Sequence, residues 1–162
     1  MAILEVDIRT ITHYMQAIIF IGIQGSGKST FYKANFFNSH VRVSIDLLNT
    51  RNKENRFLET CFQTQSRFVV DNTNPTLEER KKYIEQAKVN KYEVVGYYFS
   101  SSVKDALRRN NLRTGKEKIP EIGIRGCFKK LVIPTREEGF DQLYFVRISN
   151  NEFIVQDWKD EV

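Results

Sequence analysis

The chain has 162 residues, of which 41% are hydrophobic and 28% charged, and its formal net charge is +5. At about 100–200 residues per domain this is one domain, with enough core to stand without disulfides or metal. The composition excludes a disordered chain, a collagen and a coiled coil, and no apolar run reaches the roughly 18 residues of a membrane span. Cys61 and Cys127 are scattered among two histidines. They have no zinc-site spacing, and without an export signal they read as reduced thiols of a cytoplasmic protein. The positive excess favours anionic partners.

Residues 1–14 do not read as part of the domain and are expected to be an appendage, with Met15 as an alternative start, or else an extra edge strand at Ile3–Ile11; residues 15–162 form the domain itself. Ala17–Ile21 is a continuous apolar run, as in a strand buried on both faces. A glycine-rich turn and a helix from about Lys28 come next. Val41–Ile45 is a second strand ending in Asp46, and Leu47–Gln65 has helical composition. Phe68–Val70 is a third strand ending in Asp71, and 72–75 is a turn, because proline cannot continue a ladder.

Leu77–Lys88 reads as a helix, Tyr92–Phe99 as a strand and Val103–Arg113 as a helix stopped near Gly115. Pro120 opens another helix to about Leu131. Phe145–Ile148 and Phe153–Val155 are expected to pair as a hairpin across Ser149-Asn150-Asn151. Strands alternating with helices predict an α/β fold with a parallel central sheet between two helical layers.

The strongest motif is Gly22-Ile-Gln-Gly25-Ser26-Gly27-Lys28-Ser29, followed by Thr30. It satisfies the phosphate-loop pattern, and it follows a buried strand and opens a helix, as the mechanism requires. The loop N–H groups and the helix N-terminus form a cradle for a triphosphate anion. Lys28 supplies a cation for the β- and γ-phosphates of ATP, and Ser29 a hydroxyl for Mg²⁺. The bland alternative is a glycine-rich turn with no ligand. Asn90-Lys91-Tyr92-Glu93 approaches a guanine-reading motif, but glutamate replaces aspartate and it precedes a strand, so it reads as a plain helix-to-strand turn.

Ligands of open α/β sheets bind at the carboxyl ends of strands, where Asp46 and Asp71 are expected. One could accept the proton of a substrate hydroxyl, the other hold Mg²⁺ through water beside Ser29. Each could instead cap the following turn. Residues 104–130 are strongly basic, and Arg109 and Arg113 share a helix face. A guanidinium fork suits a lid over a transferring phosphoryl group. A merely solvated face is the competing reading, and the better one for Lys116, Lys118, Lys129 and Lys130.

The order of these motifs carries a resemblance. It runs from the phosphate loop to Ser44-Ile45-Asp46, then Val70-Asp71-Asn72-Thr73-Asn74-Pro75, Arg80, Tyr83-Ile84, Arg109 and Arg113. Ile133-Pro134-Thr135 and Glu138-Gly139-Phe140 come after them. From Ala17 to Phe140 the chain resembles the kinase domain of the polynucleotide 5′-hydroxyl kinases, both the phage enzyme and the animal DNA-repair enzyme. The resemblance implies an adenylate-kinase-like phosphate-loop fold and ATP-dependent phosphorylation of a nucleic-acid 5′-hydroxyl end. It implies Asp46 as general base, Arg113 as the lid arginine on the transferring phosphate, and Lys28 and Ser29 as nucleotide and metal contacts. Asp71, Asn72, Arg80 and Arg51 are candidate substrate contacts, and a basic groove near Arg51 and Arg125 is expected to carry the strand.

Two positions depart from the pattern. Ile45 stands where the family has arginine before the base. Asn49 stands where the phage enzyme has an arginine that meets the substrate's phosphate. A kinase of a small hydroxylated molecule is therefore the second reading, and a nucleotide-binding module without chemistry the third.

Overall fold

The computed structural model describes residues 15–160, so the appendage expected at 1–14 lies outside the described residues. Six strands form one sheet in the order β2-β3-β1-β4-β5-β6. They are β1 (Gln16–Ile21), β2 (Val41–Val43), β3 (Phe68–Val70), β4 (Glu93–Phe99), β5 (Gln142–Ser149) and β6 (Glu152–Asp157). The first five run parallel and β6 turns back antiparallel along β5. The helices are α1 (Lys28–Asn35), α2 (Ile45–Leu48), α3 (Arg51–Gln63), α4 (Leu77–Val89), α5 (Val103–Asn111) and α6 (Glu121–Lys130).

β1 shows why the sequence folds this way. Alternate side chains of a strand point to opposite faces, so a strand covered on both sides must be apolar throughout. Ala17, Ile19 and Ile21 enter one core with Val43, Leu58, Val70 and Ile84. Ile18 and Phe20 enter the other with Phe31, Val69, Phe99 and Val146. A smaller cluster of Ile23, Ala106, Ile124 and Cys127 joins α5 and α6 to the first loop.

The structure corrects three expected boundaries. The second strand stops at Val43, so Asp46 lies in the first turn of α2 rather than at a strand end. The helix expected over 47–65 is two helices. Asn49 takes a left-handed conformation with φ 67° and ends α2, and the Thr50 side chain caps α3 by accepting from Lys53 N–H. α5 ends at Asn111, which leaves Arg113 in the loop beyond it. The expected hairpin forms with longer strands. Asn150 (φ 51°) and Asn151 (φ 61°) make its turn, two consecutive left-handed residues of a kind asparagine tolerates. Trp158 then packs back against Tyr98, ring centroids 5.7 Å apart. Among the described residues no helix is long and apolar enough to cross a membrane.

Candidate active site

The phosphate loop joins β1 to α1. Gly25 (φ 75°) and Gly27 (φ 97°) hold left-handed conformations that a β-carbon would strain. Space is short as well: a β-carbon on Gly25 would meet the Ala106 carbonyl oxygen at 2.9 Å. Among the described residues no side chain caps α1 at Gly27, as suits a helix N-terminus that receives an anion. Lys28 folds into the loop and is buried. Its Nζ donates to the carbonyls of Gly22 (2.9 Å) and Ile23 (2.7 Å). Burial pushes its pKa down to about 8, against the pull of the nearby Asp71 carboxylate, and the Arg113 charge lowers it further. Arg109, in the last turn of α5, donates from Nη1 to the Gly25 carbonyl at 3.0 Å. It braces the loop from behind.

On the neighbouring strand, the buried Asp71 follows β3. Its Oδ2 accepts from Ser29 Oγ (2.9 Å) and from Arg42 Nε (2.8 Å). Arg42 Nη2 also donates to Ser29 Oγ at 3.0 Å. Ser29 and Asp71 thus offer two hard oxygens side by side next to the phosphate cradle, a donor set that fits Mg²⁺.

One cleft of about 220 Å³ gathers most of the candidate residues. Gly25, Gly27, Lys28, Ser29 and Thr30 of the loop line it together with Asp46, Arg51, Asp71, Asn72 and Arg113. Asp46 is exposed and close enough to Lys28 to favour its charged form. Gly22 and Ser26 belong to the body of the loop, and Ser26 is buried. Arg109 with Ser26 lines a smaller neighbouring hollow against Arg147 and Ile148.

One expected substrate contact, Arg80, and one residue of the expected basic groove, Arg125, lie elsewhere. Arg80 is fully buried. Its Nε and Nη2 grip Glu138 at 2.7 and 2.8 Å, and its Nη1 donates to the carbonyls of Asn74, Pro75 and Val132. Each of these three nitrogens has a protein partner, so Arg80 is a brace beneath the turn at 72–75 and not a substrate contact. Arg125 lies on the exposed side of α6, paired with Glu121 at 2.6 Å, and is absent from the cleft lining.

Two residues escaped the sequence reading. Arg42 had one signal, a charge within the apolar alternation Val41-Arg42-Val43. Glu54 had none, yet it is fully buried and accepts from Asn72 Nδ2 (2.7 Å), Tyr83 OH (3.0 Å) and Arg51 Nη1 (2.9 Å).

No family model matches the chain. Over 134 residues it is 28% identical to a bifunctional polynucleotide phosphatase/kinase of Schizosaccharomyces pombe, covering 80% of this chain and 33% of that protein. Over 153 residues it is 30% identical to a putative bifunctional polynucleotide phosphatase/kinase of Acanthamoeba polyphaga mimivirus, covering 89% of this chain and 36% of that protein. The chain therefore spans about a third of the length of these curated relatives. Among solved structures, Chaetomium thermophilum Kti12 in complex with ADP-AlF3 superposes with a TM-score of 0.64 at 13% identity, over 84% of this chain and 91% of that one. The chain has the fold of the phosphate-loop kinases, and in sequence it resembles the kinase domain of the polynucleotide 5′-hydroxyl kinases.

Proposed function

We propose that the chain transfers the γ-phosphate of ATP to the 5′-hydroxyl end of a nucleic acid. The observation that carries this reading is the single cleft lined by Asp46, Lys28, the phosphate loop and Arg113, with Asp46 and Arg113 both close enough to act on the Lys28 charge. The curated relatives are named polynucleotide phosphatase/kinases, which supports a nucleic-acid acceptor. The step balances simply. The Asp46 carboxylate takes the proton of the 5′-hydroxyl as its oxygen bonds to the γ-phosphorus. The bond from that phosphorus to the β,γ-bridging oxygen breaks, and ADP leaves.

Lys28 and Arg113 hold the charge that grows on the equatorial and leaving oxygens. Arg109 keeps the loop's curvature by holding the Gly25 carbonyl. Ser29 and Asp71 would hold Mg²⁺, which when bound neutralises charge on the β- and γ-phosphates.

The test is transfer of radiolabelled γ-phosphate from ATP with Mg²⁺ to 5′-hydroxyl DNA and RNA oligonucleotides, with Lys28→Ala as the blank. Label on an oligonucleotide with the wild type alone is the expected result, and it reads the preferred sugar at once. No label on either, while ATP binds and a small polyol is phosphorylated, would overturn the reading in favour of a small hydroxylated acceptor.

A further inference from the structure

We infer that Glu54 is a positioning residue for Asp46, acting through the Asn72 side chain and the Ile45 N–H; this rests on the reading of Asp46 as the general base. The segment that carries the base, α2, has only four residues, Ile45–Leu48. It has almost no internal ladder, and none of its residues is buried. Such a segment is not stable on its own. Among the described residues, the Asp46 carboxylate has no hydrogen-bond partner to orient it. Beyond the pull of the Lys28 charge, its location is set by the backbone of α2, whose far end packs Leu48 against the core.

That backbone is tethered at its first residue. Ile45 N–H donates to Asn72 Oδ1 at 2.9 Å. An asparagine amide presents an acceptor on one side and a donor on the other, and only one orientation satisfies Ile45 N–H. The Glu54 carboxylate imposes that orientation. An ionised carboxylate only accepts, and Glu54 Oε1 takes the Asn72 NH₂ at 2.7 Å. Asn72 Oδ1 is thereby turned towards Ile45.

Glu54 is itself fixed on every side. Tyr83 OH donates to the same Oε1 (3.0 Å). Arg51 Nη1 and Lys82 Nζ reach Oε2 at 2.9 and 3.3 Å. Burial raises the Glu54 pKa, but the bonds from Arg51 and Asn72 and the two positive charges outweigh it, so the group stays ionised below the usual carboxylate range. Arg51 also lines the cleft, so one guanidinium touches both the substrate side and the tether. A charge this well buried, one link from a base with no anchor of its own, is placed to hold the base.

The test uses the full chain and three variants. Glu54→Gln removes the charge that orients the amide. Asn72→Ala cuts the same link while leaving Glu54 its Arg51, Lys82 and Tyr83 partners, and it carries the test should Glu54→Gln fail to fold. Glu54→Gln/Asn72→Asp exchanges the two groups, so that an aspartate at 72 again accepts from Ile45 N–H. Two readouts are taken: steady-state kinetics with a 5′-hydroxyl oligonucleotide, and hydrogen exchange followed by mass spectrometry over 44–50.

Each single variant is expected to lower kcat about 30-fold, with the KM for ATP changed less than about threefold, as for other supporting-shell losses. Exchange over 44–50 rises about tenfold, while the phosphate loop is unchanged. The exchanged pair recovers most of the lost kcat. Wild-type turnover in both single variants, lost turnover without faster exchange at 44–50, or no recovery in the exchanged pair would overturn the inference. If the wild type phosphorylates no hydroxyl acceptor, the reading of the site fails instead; the exchange data then decide alone whether Glu54 holds α2.

Discussion

Ser29 and Asp71 lie 42 positions apart in sequence, yet the serine hydroxyl donates to the aspartate carboxylate at 2.9 Å. The guanidinium of Arg42 completes the triangle, 2.7 Å from the same carboxylate oxygen. Together with the nearby Lys28 it compensates a nearly inaccessible charge. Removing one partner of such a pair leaves the other desolvated and alone. Arg42→Met should therefore cost about 1–3 kcal/mol, reduced from the fully buried case because Arg42 is partly solvated. That corresponds to a fall of roughly 3–10 °C in Tm. Added Mg²⁺-ATP should raise the Tm of Arg42→Met by more than it raises that of the wild type. Differential scanning calorimetry checks both, and an unchanged Tm would show that the ion pair carries no stability.

Asp46→Asn keeps the shape of the side chain and removes its basicity. Turnover should fall by about 10² to 10⁴, the usual contribution of a positioned base. ATP binding, followed by fluorescence of a labelled analogue, should be preserved. Full turnover in this variant would end the assignment of Asp46 as base.

Arg80→Ala is expected to unfold the domain rather than impair the reaction alone. Glu138 is nearly inaccessible opposite it, and an abandoned buried carboxylate costs about 3–5 kcal/mol. Arg80→Lys should lose most of that stability too, because an ammonium cannot reproduce the two-pronged grip on Glu138. Urea denaturation of the two variants measures this. A midpoint for Arg80→Lys equal to that of the wild type would contradict it.

His40 gives the pH dependence. It is buried, contacts Ser39 Oγ at 2.7 Å and Gln16 Oε1 at 3.0 Å, and burial followed by the Arg67 charge lowers its pKa from 6.5 to about 4. Between these two values the unfolded chain binds more protons than the folded one. Stability from this group is therefore complete above pH 6.5 and lost as pH falls towards 4. Urea midpoints taken across that window should decline, and His40→Gln should remove part of the slope. A variant with the full wild-type slope would exclude His40 as its source.

The legible parts of the fold were those written in contiguous residues. β1, the phosphate loop and the Asn150-Asn151 turn each depend on neighbours in sequence, and each lies where the sequence placed it. The break at Asn49 was hidden because one left-handed residue leaves no trace in composition. Arg80 misled for a related reason. A guanidinium near a candidate site looks like a substrate contact until its partner, Glu138, is seen 58 positions away. Glu54 was illegible because burial of a charge is decided wholly by Arg51, Asn72, Lys82 and Tyr83 gathering around it in the folded chain.

Asn110 closes the stretch that carries Arg113. Its buried side chain donates to the Ile119 carbonyl (2.7 Å) and accepts from the Ile119 N–H (2.9 Å), as one residue of a β-ladder would. Residues 111–118 are thus a noose tied at the neck by a single amide. The entropy of bringing its ends together is lost when the protein folds, not when a ligand arrives. Arg113 sits at the start of this loop with its own N–H on the Asn110 carbonyl at 3.0 Å, and extra residues spliced in at the exposed Lys116 would enlarge the tip while leaving the knot, and α6 beyond it, where they are.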